Sequence, residues 1–198
     1  ENPTSYNRRG ALYLDQKRFE EAEADFNKAI ECDSTLPISY FNRALVYNET
    51  SRPTQSLADL DKVIELDSTS SITYFNRAII RSNIGDYNRA LEDYDKAIEL
   101  YPDFAKAYMN RSYVKNLMGE HKSSKEDYET AQRKVKEYRE KNVSDAGSFA
   151  DTTKKYSSLL SLDAEFAKKD FNDELLQNRD INVRLRSLYR FELADKRD

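Results

Sequence analysis

Side chains of the same type recur every 34 residues along most of this chain. This period constrains the fold more than any other feature, because each unit must be one supersecondary element that buries its apolar face against its neighbours. The repeated columns are Tyr6, Tyr40, Tyr74 and Tyr108; Arg9, Arg43, Arg77 and Arg111; and Asp25, Asp59, Asp93 and Asp127. The sequence therefore predicts an array of stacked, similar units.

Each unit contains two helical periodicities separated by a turn. In the second unit, Tyr40, Ala44 and Tyr47 follow the spacing that places side chains on one face of a helix. In the third unit, Ala90 and Tyr94 begin a second periodic stretch, after a turn signal at Gly85 and Asp86. A small residue on each helix lets the two helices approach closely. Each unit is therefore predicted to be a helix hairpin.

The aromatic and small pair Tyr74 and Ala78, the turn from Gly85 to Tyr87, and Pro102 resemble the tetratricopeptide repeat family. The resemblance covers four units, at about 3–36, 37–70, 71–104 and 105–138, within a repeat domain of residues 1–142. It implies a mainly α fold, a right-handed α-solenoid of antiparallel helix pairs. It also implies that the first helix of each unit lines a concave groove.

The arginine and aspartate columns have the same period, and one lies on the first helix and the other on the second. We expect them to pair, either within a unit or across to the next one. Partly buried pairs of this kind would fix the register between helices more than they would add stability. The alternative is that they are solvated charges that merely repeat.

One stripe of the first helices is not needed for the predicted core, and the resemblance places it in the groove. Its apolar members are Phe41, Leu45, Phe75, Ile79, Met109 and Tyr113. Beside them, Asn42, Asn76 and Asn110 form a column whose carboxamides suit the main chain of an extended peptide, and which resembles an asparagine ladder known in the family. Lys106 is the groove-side cation. The alternatives are lateral packing between first helices and ordinary capping or solvent contacts.

The residues after the repeats show a different pattern. Apolar and polar residues alternate at about 157–166 and 180–193, which predicts two β-strands in a C-terminal extension of residues 143–198. A small β-hairpin is marginal unless its apolar face is covered. It could cap the open end of the solenoid, pair with a second copy to give a homodimer, or pack on a further domain.

Composition excludes several classes of function. Four glycines, one histidine and one cysteine leave little material for a phosphate loop, a metal site or a catalytic triad, and a net charge of −4 does not fit an obligate nucleic-acid binder. No run approaches the ~20 apolar residues that span a bilayer. No signal peptide is visible in the chain as given, although a removed leader would leave no trace. The chain is therefore expected to be soluble, and its compartment stays unassigned.

These observations favour a non-enzymatic interaction scaffold without a cofactor, which binds a peptide or a partner helix in the groove. The identity of that protein or peptide partner is not readable from the sequence. The alternative is a structural or assembly module that acts through self-association of the C-terminal β-hairpin, with the groove unoccupied.

Overall fold

A computed structural model of the chain describes residues 2–142, and these form a solenoid of eight helices. The helices are α1 (Pro3–Asp15), α2 (Phe19–Cys32), α3 (Pro37–Glu49), α4 (Pro53–Leu66), α5 (Ser71–Asn83), α6 (Tyr87–Leu100), α7 (Ala105–Leu117) and α8 (His121–Asn142). Consecutive helices pack as four antiparallel hairpins, and each hairpin packs on the next. The predicted helical solenoid is confirmed for this part of the chain. The predicted strands at about 157–166 and 180–193 lie outside the described residues.

The same tight turn joins the two helices of every hairpin. It places one residue in the left-handed region, with φ of 60° at Lys17, 58° at Ser51, 82° at Gly85 and 83° at Gly119. In each case the next backbone N–H donates back to a carbonyl in the preceding helix, as from Arg52 to Tyr47 at 2.7 Å. Glycine adopts this conformation without steric cost, whereas the first two units hold an ordinary side chain in it.

Small residues set the distance between the helices of each hairpin. Ala44 and Ala78 are fully buried where the helices cross. In the second unit the Ser56 hydroxyl donates to the Ala44 carbonyl across the hairpin at 2.7 Å, and Ser124 makes the same bond to Ser112 at 2.8 Å. These buried hydroxyl groups are therefore satisfied and carry no desolvation penalty.

Arginine and aspartate join neighbouring hairpins in a repeated arrangement. The Arg77 guanidinium donates two hydrogen bonds to Asp93 in its own hairpin, at 2.9 and 2.6 Å, and a third to Asp61 in the preceding hairpin at 2.7 Å. Arg111 does the same with Asp127 and Asp95. The predicted pairing is confirmed, and it occurs both within a unit and between units.

The surroundings of these pairs keep them charged. Burial alone would lower the pKa of Arg77, but its hydrogen bonds to Asp93 and Asp61 outweigh burial and raise that pKa. Burial would likewise raise the pKa of the Asp127 carboxyl, yet the bonds from Arg111 and Lys115 hold it below its ordinary value. The arginine also lies over the ring of the tyrosine three residues earlier, at 5.5 Å from the Tyr74 centroid. Arg77 and Arg111 thus each connect three helices.

Replacement of Ser51 by glycine is expected to raise the free energy of unfolding by roughly 0.5–1 kcal/mol, because it removes the steric cost of a positive φ. Chemical denaturation followed by circular dichroism measures this. The matched change Gly85→Ala should lower the stability by about 1 kcal/mol. At Gly85 no heavy atom lies within 4 Å of an added Cβ, so that cost is purely conformational. An unchanged or lower stability for Ser51→Gly would contradict the interpretation.

Removal of the Arg77 guanidinium is expected to lower the free energy of unfolding by about 2 kcal/mol, because the buried Asp93 would lose two hydrogen bonds and keep only the one from Arg81. The variant is Arg77→Ala, measured by the same denaturation. Arg89→Ala is the control, since Arg89 pairs with Asp86 on the surface and should contribute little. Equal losses for the two variants would show that the bridge adds no more stability than an exposed ion pair.

Candidate functional site

The candidate residues all lie on three first helices of the solenoid. Phe41, Asn42 and Leu45 are on α3; Phe75, Asn76 and Ile79 are on α5; Lys106, Met109, Asn110 and Tyr113 are on α7. Because α3, α5 and α7 occupy the same place in successive hairpins, the residues of one column recur along the array. This surface is called the first-helix face below.

The middle of the first-helix face is closed. The Phe75 side chain is fully buried, with its ring centroid 4.6 Å from that of Phe104 and 6.1 Å from that of Tyr94. Ile79 and Phe41 are buried in the same cluster. The sequence-based hypothesis treats Phe75 and Ile79 as contacts for a ligand, whereas their burial corresponds to the alternative of lateral packing. These two side chains form the floor of the face.

The asparagine column is also buried, and it is not fully satisfied. The Asn76 Nδ2 donates to the Ile72 carbonyl at 2.8 Å, but its Oδ1 has no hydrogen-bond partner among the described residues. The Asn110 Oδ1 is in the same state. A buried acceptor without a donor lowers the stability of the fold by about 1–3 kcal/mol. Two such atoms in successive units are unusual, because most buried polar groups are hydrogen-bonded. Each of these two oxygens could accept a hydrogen bond from an N–H group of a binding partner.

Two further buried polar groups of this kind lie outside the asparagine column, and no repeated pattern in the sequence marks the one on Ser71. In α1 the Asn7 Nδ2 donates to the Ser39 hydroxyl at 2.7 Å, while the Asn7 Oδ1 has no partner in the described part of the chain. The Ser71 hydroxyl at the start of α5 is likewise unpaired there. Asn7 lies one helical position before the asparagine column, and that offset is why the 34-residue comparison did not group it with Asn42.

The most accessible part of the first-helix face lies at its α7 end. Tyr113 is 42% exposed, and Leu45, Lys106 and Met109 are partly exposed. Leu117, four residues after Tyr113, is also exposed and extends the apolar surface by one helical turn. The spacing of Tyr113 and Leu117 was a signal for this in the sequence, but it occurs in one unit only and so did not appear as a column.

The described residues offer little for other chemistry. Among them, no group of three or more His, Cys, Asp or Glu side chains is placed to hold a metal ion. His121 Nδ1 lies 2.8 Å from Asn116 Oδ1 in an exposed turn. None of the helices in the described range is both long and apolar enough to cross a membrane.

Comparison with known proteins identifies the repeat. One sequence model of the tetratricopeptide repeat matches residues 3–36 and 71–104, and a second matches residues 38–70. Together they cover slightly more than half of the chain. The fourth hairpin, α7 and α8, is not matched by either model. No curated protein matches the chain.

Solved structures share the fold at low sequence identity. A crystal structure of MamA is 19% identical, with a TM-score of 0.68, over 70% of this chain and 81% of MamA. A MamA fragment from Desulfovibrio magneticus RS-1 is 14% identical, with a TM-score of 0.65, over 69% of this chain and 77% of the fragment. The first repeat domain of Spaghetti (RPAP3), bound to the HSP90 peptide SRMEEVD, is 20% identical, with a TM-score of 0.58, over 60% of this chain and 94% of that domain.

Proposed function

The chain belongs to the tetratricopeptide repeat family, and on this premise we propose that it is a non-enzymatic scaffold that binds a protein or peptide partner along its first-helix face. Members of the family bind protein or peptide partners, and a structural neighbour, the Spaghetti (RPAP3) domain, is solved with a bound peptide. The observation that carries the proposal for this chain is the pair of unsatisfied carboxamide oxygens on Asn76 and Asn110.

These two oxygens define the kind of group that the partner must supply. The Asn76 Nδ2 is already used within the helix, so the free capacity of that side chain is its acceptor. An acceptor calls for an N–H donor, and every non-proline residue of an extended peptide has one on its main chain. Recognition through main-chain donors would be largely independent of the peptide sequence. Access to the oxygens requires rotation of the carboxamides, since both atoms are closed to solvent in the unbound chain.

The spacing of the units is compatible with an extended peptide. Neighbouring helices lie ~8–10 Å apart and an extended chain advances ~3.3 Å per residue, so one asparagine would serve about every third peptide residue. Each hydrogen bond contributes only ~0.5–1.5 kcal/mol net, so the affinity should be modest. Two or three ladder positions cannot by themselves give tight binding.

Apolar contacts supply the rest of the proposed interface. Tyr113 and Met109 present accessible surface at the α7 end, and Leu45 does so on α3. Phe41, Phe75 and Ile79 support that surface from below, and Asn42 continues the ladder toward α3. Lys106, one turn before Asn110, would pair with a carboxylate or a carbonyl of the partner. The proposed contacts therefore concentrate on α7.

Loss of both the ladder and the apolar contact should reduce binding. The double variant Asn110→Ala with Tyr113→Ser is expected to weaken capture of peptides by about tenfold or more, because it removes a hydrogen bond and an exposed ring. Peptides would be selected on a random array with the full chain and then measured by fluorescence anisotropy. Helicity, measured by circular dichroism, should stay unchanged.

A control double variant removes a carboxamide and an apolar side chain away from the first-helix face. Asn88→Ala with Ile84→Ser deletes an exposed carboxamide and an exposed apolar side chain at the α5–α6 turn. This control should bind the selected peptides as the unchanged protein does. Equal binding by the two double variants, or no peptide selected above background, would reject the first-helix face as the binding site.

A further inference from the structure

The last described hairpin exposes an aromatic ring at a position that is buried in the three preceding hairpins. Tyr128 on α8 stands in the same column as Phe26, Leu60 and Tyr94, which are all fully buried. Tyr128 is 47% exposed. In the first three hairpins this position belongs to a buried cluster that includes residues of the next hairpin, whereas no described hairpin follows Tyr128.

Tyr113 shows the same contrast on the neighbouring helix. Its counterpart in the third hairpin, Ile79, is buried in the same cluster as Tyr94, the counterpart of Tyr128. Tyr113 and Tyr128 therefore belong to one surface at the end of the array, and Leu117, 48% exposed, adjoins it one turn along α7. We call Leu117 and Tyr128 the end face, and Tyr113 lies at its border with the first-helix face. The end face is an apolar surface for which the repeat pattern expects a cover.

A further repeat unit would not fit this end face as it fits the others. The isoleucines Ile30, Ile64 and Ile98 of the first three hairpins pack partly buried against the core. In the last hairpin that column carries Gln132, which is exposed. One edge of the end face is thus polar. A segment that packs on it should present both apolar and polar side chains, and it need not be a repeat unit.

We propose that residues 143–198 of the same chain pack on the end face. This segment begins directly after α8, and Tyr128 lies 14 residues before the end of that helix, which is ~21 Å of α-helix. About seven extended residues would return the chain over that distance, and the segment is 56 residues long. Most of it remains available for contact.

The composition of the segment suits this role. Large apolar residues alternate with charged or polar ones toward its end, as at Ile181, Val183, Leu185, Tyr189 and Phe191. Contact between these apolar side chains and the end face would remove both from water. A tethered segment has an effective concentration in the millimolar range, so it outcompetes a second copy at micromolar protein.

Thiol accessibility in the full chain tests the proposal. In a Cys32→Ser background, Tyr128→Cys and Leu12→Cys each place one thiol at an exposed apolar position, at opposite ends of the array. Leu12 is 60% exposed on α1 and serves as the control. Labelling rates, normalised to those in denaturant, should be about tenfold slower at position 128. The added changes Ile181→Ser, Leu185→Ser and Tyr189→Ser should raise the labelling rate at position 128 to the control value.

Because Tyr128→Cys itself shortens the end face, hydrogen exchange on chains that keep Tyr128 gives a second measurement. Amides in the first half of α8 should exchange about tenfold faster when Ile181, Leu185 and Tyr189 are replaced by serine. Equal labelling at positions 128 and 12, together with exchange that the serine changes leave unaltered, would overturn the proposal. Protection at 128 that disappears on dilution would also overturn it, because a second copy would then be the cover.

Discussion

One repeated arginine, from the second hairpin onward, binds each hairpin to the one before it. Arg77 reaches Asp93 sixteen residues ahead and Asp61 sixteen residues behind, so that its guanidinium spans two second helices and fixes how one hairpin sits on the next. Hydrophobic burial alone would permit some sliding between units, because apolar contacts are not directional. The planar, bidentate geometry of the guanidinium does not permit it. The alignment of α3, α5 and α7, and with it the first-helix face, depends on this register.

The first-helix face is graded along its length. Its middle is closed, with Phe75 packed on Phe104, and its accessible apolar surface lies at α7 around Tyr113. The carboxamides of Asn76 and Asn110 are buried like the middle of the face, but the Oδ1 of each has no hydrogen-bond partner among the described residues. A scaffold of this kind retains polar groups at a cost to its own stability, which is a common property of binding sites. Partner binding would recover part of that cost.

The period predicted the fold because a recurrence in phase is a global constraint that one sequence displays directly. It also predicted the arginine and aspartate pairs, because both columns share the same phase. It could not predict which stripe residues are accessible: Phe75 and Tyr113 belong to one pattern, yet the first is covered by the following unit and the second is not. Nor did it reveal the positive φ at Lys17 and Ser51, since the sequence signal for that turn is the glycine present in the other two units.

The arginine bridges also bear on how such an array gains or loses units. Arg77 and Arg111 face chemically identical acceptors in the preceding hairpin, Asp61 and Asp95. Excision of residues 71–104 would bring Arg111 opposite Asp61, so the arginine bridge would form again at the new junction. The corresponding acceptor for Arg43 is the neutral Asn27, so the junction after the first hairpin is not interchangeable with the later ones. The arginine bridges are therefore preserved when an interior unit is duplicated or deleted, and among the four described hairpins only the junction after the first one offers the arginine a neutral acceptor.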